Sequence, residues 1–256
     1  DATASILVDV YVPVNIDLKF SLDEVCAGTP VTVSPNRTGG FGPYVYNWTI
    51  PAGVDYTMVN DSLVRLNNPQ PSSVQISVSV TDLGITPNDV VSDTKTLIVH
   101  ANPNITMPVP SPVCENSHLQ INPTVSGGTP AYTHAWSQDV AILSSNVNDN
   151  FASINTDDYT GTFYLQYTVT DQNNCVARKD VTVLVNPRPV VTASTVDKTC
   201  VGEPVLLHGT VVQGNTAGGT HAWITPQALW LDDLSSTTIP NPIFSSNTYG
   251  FARFQY

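Results

Sequence analysis

The sequence predicts an all-β protein built from tandem β-sandwich repeats, and three observations carry that prediction. Charged residues make up only 12% of the 256 residues, and short polar and β-branched residues take their place. A set of landmarks recurs about every 88 residues. Between the landmarks, apolar and polar residues alternate, as they do in strands with one buried face.

Composition and charge limit the kinds of partner. The formal net charge of −12 argues against nucleic acid, because a nucleic-acid partner requires a basic face. The chain has 18 Asp but only three Glu, which favours turns over helices because Asp bonds nearby backbone N–H groups. Most of this acidity is interpreted as solvated surface. Calcium ligation by Asp-rich loops is the alternative, and no other cofactor is expected.

The repeat is defined by landmarks that keep the same order and spacing. They are a cysteine (Cys26, Cys114, Cys200), a Gly-Gly pair (39–40, 127–128, 218–219) and a tryptophan (Trp48, Trp136, Trp223). The cysteines are 88 and 86 residues apart, and the tryptophans are 88 and 87 residues apart. We expect each tryptophan to be buried in the middle of its own sandwich.

The landmarks divide the chain into repeats joined by short proline-containing junctions. Residues 1–13 are predicted to be the last strand of a preceding repeat. Residues 14–102 form repeat 1, residues 103–187 form repeat 2, and residues 188–256 form repeat 3, incomplete at its C-terminal end. We therefore expect the sequence to be cut from a longer chain at both ends.

Within a repeat, the residue pattern is that of β-strands. Val74, Ile76, Val78 and Val80 alternate with polar residues, which is the period of a half-buried strand. About seven short strands in fewer than about 90 residues, with a central tryptophan, are typical of a Greek-key immunoglobulin-like sandwich.

The order of motifs in repeat 2 is similar to that of a known family. It runs Cys114, then Gly127 to Tyr132 (GGTPAY), Trp136, Val169-Thr170-Asp171 and Cys175. This resembles the PKD-like and SprB-type repeats of large Bacteroidota surface proteins, which include gliding-motility adhesins exported by the type IX secretion system. The resemblance implies a very long secreted protein at the cell surface with an adhesive or structural role.

The same resemblance implies a disulfide within a repeat. In repeat 2 the bond would join Cys114 to Cys175, and repeat 1 would lack it because no cysteine follows its own Val-Thr-Asp motif. Cys26 is therefore expected to be unpaired. The partner of Cys200 is expected a few residues beyond Tyr256.

No group of residues indicates catalysis or a metal centre. The cysteine spacings are far too long for paired zinc ligands. His134 and His221 each lie two residues before a strand tryptophan, so they are expected to pack beside it at the edge of the core. The adjacent carboxylates at 157–158 and 232–233 are interpreted as solvated turn residues, with calcium or a glycosidase pair as the alternatives.

Two further residues are candidates for recognition or modification. Ser62, in Asp61-Ser62-Leu63, matches the short O-glycosylation pattern of Bacteroidota secreted proteins. Trp230 has no counterpart in the other repeats; it either fills the third core or forms a contact surface for sugar or protein.

The leading functional hypothesis is a non-enzymatic adhesin or stalk segment at the extracellular cell surface. Its partners would be the other repeats of the same chain, and cell-surface or secretion-system proteins or surface glycans. The alternative is a set of accessory carbohydrate- or protein-binding modules of a secreted multidomain enzyme. A subunit of an assembled filament is a third reading.

Overall fold

The computed structural model describes residues 4–8, 10–196, 198–214 and 219–256. In this part of the chain the regular elements are β-strands and two single-turn 3-10 helices, at Val140–Ile142 and Ala228–Trp230. No helix among the described residues is long and apolar enough to cross a membrane. The all-β prediction is confirmed.

Eight strands make up the part of the chain assigned to repeat 1. They are β1 (Asn15–Phe20), β2 (Glu24–Cys26), β3 (Val31–Thr38), β4 (Tyr44–Thr49), β5 (Tyr56–Asn60), β6 (Leu63–Leu66), β7 (Ser72–Asp82) and β8 (Asp89–His100). One sheet has the order β1-β3-β6-β5 and the other has the order β2-β8-β7-β4. All of these pairings are antiparallel except that of β2 with β8.

The alternation in β7 produces the buried face that the sequence predicts. Val74, Ile76, Val78 and Val80 are at most 6% exposed. They join a core that also draws on the other sheet, including Leu18 of β1. Two sheets that bury one face each against the other form a sandwich.

The next eight strands lie between residues 103 and 186. They are β9 (Pro103–Thr106), β10 (Val113–Cys114), β11 (His118–Ile121), β12 (Thr124–Gly127), β13 (Thr133–Gln138), β14 (Ala152–Asn155), β15 (Gly161–Thr170) and β16 (Val176–Asn186). Four of them form a sheet in the order β10-β16-β15-β13, and β11 pairs with β14 and β12 with β9. As in repeat 1, the short strand that ends in a cysteine is parallel to the last strand.

Four short strands follow Pro189. They are β17 (Val190–Ser194), β18 (Val205–Leu206), β19 (His208–Gln213) and β20 (Ile243–Phe244). β17 pairs with β19, and β18 pairs with β20. An isolated bridge joins Ile224 to Gln255, one residue after the third landmark tryptophan. The strand orders of the first two repeats are those of immunoglobulin-like sandwiches.

The contacts between residues divide the chain into two compact units. The first comprises 1–107, 123–135 and 167–179, and the second comprises 108–122, 136–166 and 180–256. The core around Leu18 and Ile76 lies in the first unit. A smaller core around Leu207, Trp223 and Leu234 lies in the second.

Candidate functional site: a clamped junction between repeats 1 and 2

The chain leaves repeat 1 beside the strand that carries the first cysteine. Parallel pairing of β2 with β8 places Cys26 opposite His100, the last residue of β8. Three positions later, Pro103 begins β9 and is buried. Cys26 therefore lies where the chain passes from repeat 1 into repeat 2.

The turn between the last two strands of repeat 2, residues 171–175, is organised by one buried carboxylate. Asp171 is 5% exposed. Its Oδ1 accepts hydrogen bonds from the backbone N–H groups of Asn173 (2.9 Å) and Cys175 (2.8 Å), and its Oδ2 accepts one from Thr129 (2.9 Å). A buried carboxylate that accepts several N–H bonds fixes the backbone around it, so the turn holds Cys175 in one orientation.

The disulfide joins the two repeats and not the two cysteines of repeat 2. Cys26 is bonded to Cys175 with a Cα–Cα distance of 5.5 Å. Cys114 and Cys200 are exposed free thiols. The expectation of a Cys114–Cys175 bond, with Cys26 unpaired, is therefore wrong.

The length of β16 explains why the expected bond does not form. Cys175 immediately precedes β16, whereas Cys114 pairs with Asn186 at the opposite end of that strand. A strand of 11 residues is about 36 Å long at about 3.3 Å per residue. A disulfide requires Cα atoms within about 7 Å of each other.

Hydrogen bonds reinforce the disulfide. Asn173 Nδ2 donates to His100 Nδ1 (2.9 Å) and to Thr129 Oγ1 (2.8 Å). Because Nδ1 of His100 accepts, its Nε2 carries the proton and donates to Oε2 of Glu24 (3.1 Å). Glu24, His100 and Asn173 thus form a continuous chain of polar contacts from β2 to the turn of repeat 2. We call these three residues, with Cys26 and Cys175, the junction clamp.

Sequence reasoning missed this use of Asp171, Asn173 and His100, although one signal was present. The Val-Thr-Asp motif recurs in repeat 1, where Asp82 is buried and accepts from the backbone N–H groups of Phe41 (2.7 Å), Gly42 (2.8 Å) and Gly84 (2.9 Å). Burial raises the pKa of Asp82, but these hydrogen bonds and nearby Arg37 outweigh it, so that pKa lies below its ordinary value. The recurring Asp is therefore a turn-forming residue.

The landmark tryptophans differ in burial. Trp136 and Trp223 are each 3% exposed. Trp48 is only half-buried at the edge of the first core, and its Nε1 donates to the carbonyl oxygen of Asp61 (2.9 Å). Full burial is thus seen at two of the three positions.

The two histidines before the tryptophans each stack on a tyrosine. His134 lies parallel to Tyr167, with ring centroids 5.8 Å apart, and its Nδ1 is 2.7 Å from the tyrosine hydroxyl. His221 and Tyr256 repeat the arrangement. Burial lowers the pKa of His134 and raises that of Tyr167. Each pair is a stacking contact between a histidine and a tyrosine of the same repeat.

Each of the remaining candidates has its own local contacts. Ser62 is half-buried in the turn between β5 and β6, and its hydroxyl donates to Oδ1 of Asn60 (3.1 Å). Trp230 is buried against the ring of Phe244. In an exposed turn, Oδ2 of Asp157 accepts a hydrogen bond from Nδ2 of Asn155 (2.8 Å). Among the described residues, no three His, Cys, Asp or Glu side chains form a group that could hold a metal ion.

Comparison with known proteins returns structures of low similarity. No model of a protein family matches the sequence, and no curated protein matches it. An I-band fragment of titin aligns over 92% of this chain and 89% of its own, at 12% identity and a TM-score of 0.41. The eight N-terminal Ig domains of Down syndrome cell adhesion molecule align over 68% of this chain and 25% of their own, at 14% identity and a TM-score of 0.41.

The insect immune protein hemolin aligns over 70% of this chain and 47% of its own, at 17% identity and a TM-score of 0.38. Titin and the cell adhesion molecule are described by their Ig domains, and hemolin is described as an immune protein. At this level of similarity, the assignment of an immunoglobulin-like sandwich rests on the strands and sheets of this chain itself.

Proposed function

We propose that the chain is a structural or adhesive repeat segment of a long secreted cell-surface protein, of the gliding-adhesin or stalk type. We place its repeats at residues 14–102, 103–187 and 188–256, with residues 1–13 belonging to a preceding repeat. The proposal includes no catalytic step. The observation that carries it is the junction clamp, because a covalent link between neighbouring repeats is a mechanical device.

The Cys26–Cys175 bond changes the path along which a pulling force travels. Tension applied to the two chain ends reaches Cys26, crosses the sulfur–sulfur bond and leaves through Cys175. The two cysteines are 149 positions apart, so 148 residues (149 − 1) lie in a closed loop outside that path. Most of repeats 1 and 2 therefore carries no tension while the bond is intact.

The closed loop sets how far the chain can be extended. A fully extended residue spans about 3.6 Å. The bond, which joins residues 149 positions apart, therefore shortens the fully extended chain by about 540 Å. A chain limited in this way keeps residues 27–174 closed under tension, whereas β1 and β16 lie on the loaded path. This behaviour suits a tether that is loaded repeatedly, and an oxidising extracellular setting would preserve the bond.

Single-molecule pulling on the intact chain, held by its two ends, tests the proposal. With the disulfide intact, the fully extended chain should be about 540 Å shorter than after reduction, because the loop stays closed. Cys26→Ser should give the long extension without reductant. Cys114→Ser, which removes a free thiol, is the matched control and should keep the short extension. Equal extensions before and after reduction would remove the basis of the proposal.

Surface location is tested through the two free thiols. Cys114 and Cys200 are exposed, so a thiol reagent that does not cross membranes should label both on intact producing cells. Labelling that appears only after lysis would contradict a position at the cell surface.

Among the partners we propose are the adjoining repeats, and cell-surface or secretion-system proteins or glycans.

A further inference from the structure

The two cysteines of the junction clamp differ in their access to solvent. Cys175 is fully buried, at 0% exposure, whereas Cys26 is partly exposed. Both residues lie in the first compact unit. A reagent in solution therefore meets the Cys26 end of the disulfide and not the Cys175 end.

Cys26 lies at an open edge of its sheet. It ends β2, which is the outermost strand in the order β2-β8-β7-β4. It also begins a turn, in which the N–H of Thr29 donates to the carbonyl oxygen of Cys26 (3.1 Å) and Gly28 is exposed. Among the described residues, no strand pairs with β2 on its outer side. This edge leaves Cys26 accessible to small molecules.

Cys175, in contrast, is enclosed by the turn that carries it. Its N–H donates to Oδ1 of Asp171 (2.8 Å), and its carbonyl oxygen accepts from the N–H of Asp171 (3.0 Å). Asp171 is itself 5% exposed. Because both backbone groups of Cys175 are bonded to a buried residue, its sulfur is reached from solution only when the turn opens locally.

This difference in burial decides the direction of thiol–disulfide exchange. The reaction depends on which sulfur is attacked, and the attacking thiolate approaches along the line of the sulfur–sulfur bond. Attack on Cys175 requires a thiolate inside the protein, whereas attack on Cys26 requires only access to the edge of the sheet. Cys175 is then the sulfur that leaves, and burial disfavours its charged thiolate form.

We propose that Cys26 is the site at which a low-molecular-weight thiol attaches to this protein, and that Cys175 is the resolving thiol that removes it. In the forward step the small thiolate bonds to Sγ of Cys26 and the Cys26–Cys175 bond breaks. The electron pair of that bond leaves on Sγ of Cys175, which takes a proton from water. In the reverse step the thiol of Cys175 loses its proton, bonds to Sγ of Cys26 and expels the small thiolate. Each step exchanges one disulfide for another, so neither step requires an oxidant.

The geometry of the clamp favours the reverse step. The Cα atoms of the two cysteines are 5.5 Å apart, and Asp171 orders the turn through three backbone N–H bonds that do not involve the disulfide. The bond from Asn173 to His100 (2.9 Å) holds the same turn beside β8. A thiol held this close acts at a high effective concentration, so the clamp re-forms when the small thiol is diluted. The proposal rests on the junction clamp of the proposed function and adds a route by which the clamp is repaired.

A trapping experiment with glutathione tests which sulfur is attacked. The chain with Cys114→Ser and Cys200→Ser, which keeps the two clamp cysteines, is incubated with glutathione, quenched with acid, alkylated in denaturant and digested for mass spectrometry. In the folded chain, glutathione should be found on Cys26 and the alkyl group on Cys175. The control is incubation in denaturant, where the two cysteines should carry glutathione equally because neither is buried. Glutathione on Cys175 of the folded chain as often as on Cys26 would overturn the proposal.

Two single variants in the same background give an independent measurement. Cys175→Ser leaves Cys26 as a free thiol, Cys26→Ser leaves Cys175 free, and each variant is reacted with oxidised glutathione. Cys26 should react at least about tenfold faster, because Cys175 reacts only when its turn opens. The adduct should persist in Cys175→Ser, whereas with both cysteines present it should give way to the Cys26–Cys175 bond without oxidant. Equal rates in two variants that keep the tryptophan fluorescence of the folded chain, or an adduct that persists beside Cys175, would overturn the proposal.

The trapping experiment also distinguishes this proposal from the proposed function. Glutathione on Cys175 would overturn the order of attack and leave the clamp as a mechanical link. A folded chain without a Cys26–Cys175 bond before glutathione is added would remove the clamp, and both proposals with it.

Discussion

The turns between the last two strands of repeats 1 and 2 begin alike and end differently. Both open with Val-Thr-Asp, and in both the buried Asp accepts three backbone N–H bonds. The turn of repeat 1, residues 83–88, makes no bond to a cysteine. The turn of repeat 2 continues with Asn173 and Cys175, which bond to His100 and Cys26 of the preceding repeat.

The comparison distinguishes the residue that shapes the turn from the residues that bond the turn to Cys26 and His100. The Asp accepts three backbone N–H bonds in both repeats, so it shapes the turn with or without a cysteine in that turn. Asn173 and Cys175 add a connection to an element that is already ordered, which lowers the entropy lost on forming it. Asn173 and Cys175 are therefore the residues that give the turn of repeat 2 its contacts with His100 and Cys26.

The largest effect expected is on stability when the disulfide is removed. Replacing Cys26 and Cys175 by Ser should lower the free energy of unfolding by about 5 kcal/mol, because the bond closes a loop of 149 residues. Chemical denaturation followed by tryptophan fluorescence measures it. Cys114→Ser with Cys200→Ser is the control and should change little. Equal losses in the two double variants would contradict a structural bond at the junction.

Removing the carboxylate of the second turn should have the next largest effect. Asp171→Ala leaves three backbone N–H groups without an acceptor, and we expect a loss of roughly 3 kcal/mol. Asp158→Ala, at an exposed position, is the matched control and should be close to neutral. The same denaturation experiment measures both. A neutral Asp171→Ala would show that the turn does not depend on its Asp.

The polar part of the clamp should contribute less. Asn173→Ala removes the hydrogen bonds to His100 and Thr129, and we expect a loss of about 1 kcal/mol. Combining it with His100→Ala should cost less than the sum of the single changes, because the two side chains share one bond. Gln172→Ala, next to it on the turn, is the control. Strict additivity would contradict the contact.

The smallest effect expected is a pH dependence specific to the histidine pair of repeat 2. Burial lowers the pKa of His134 in the folded chain, so the unfolded chain takes up a proton first as the pH falls below about 6.5. Stability should therefore decrease slightly between about pH 8 and about pH 5. The decrease should be smaller in His134→Gln, as measured by denaturation midpoints. Repeat 1 has Tyr46 at this position and lacks the effect.

The sequence predicted the strands well because strands depend on local pattern. The period-two run from Val74 to Val80 is buried as expected, and Cys26 and Cys114 end equivalent short strands. The disulfide could not be predicted in the same way. Cys26 and Cys175 meet only because one repeat packs on the next, and a comparison of equivalent positions within repeats does not contain that contact.

One asymmetry in the sequence did point towards the clamp. Repeat 1 has one cysteine, near its start, and repeat 2 has one near its start and another in its last turn. Repeat 1 therefore has no second cysteine with which Cys26 could pair inside the same repeat. Asn173 and His100 gave no such signal. An Asn in a turn is ordinary, and the two side chains are 73 positions apart in the sequence.

The most direct test of the account identifies which cysteine is bonded to Cys175. Free thiols are blocked under denaturing, non-reducing conditions, and the chain is digested and examined by mass spectrometry. The account predicts blocked thiols at Cys114 and Cys200 and a linked pair of peptides containing Cys26 and Cys175. A linked pair containing Cys114 and Cys175, with Cys26 blocked, would contradict the clamp and restore a bond within repeat 2.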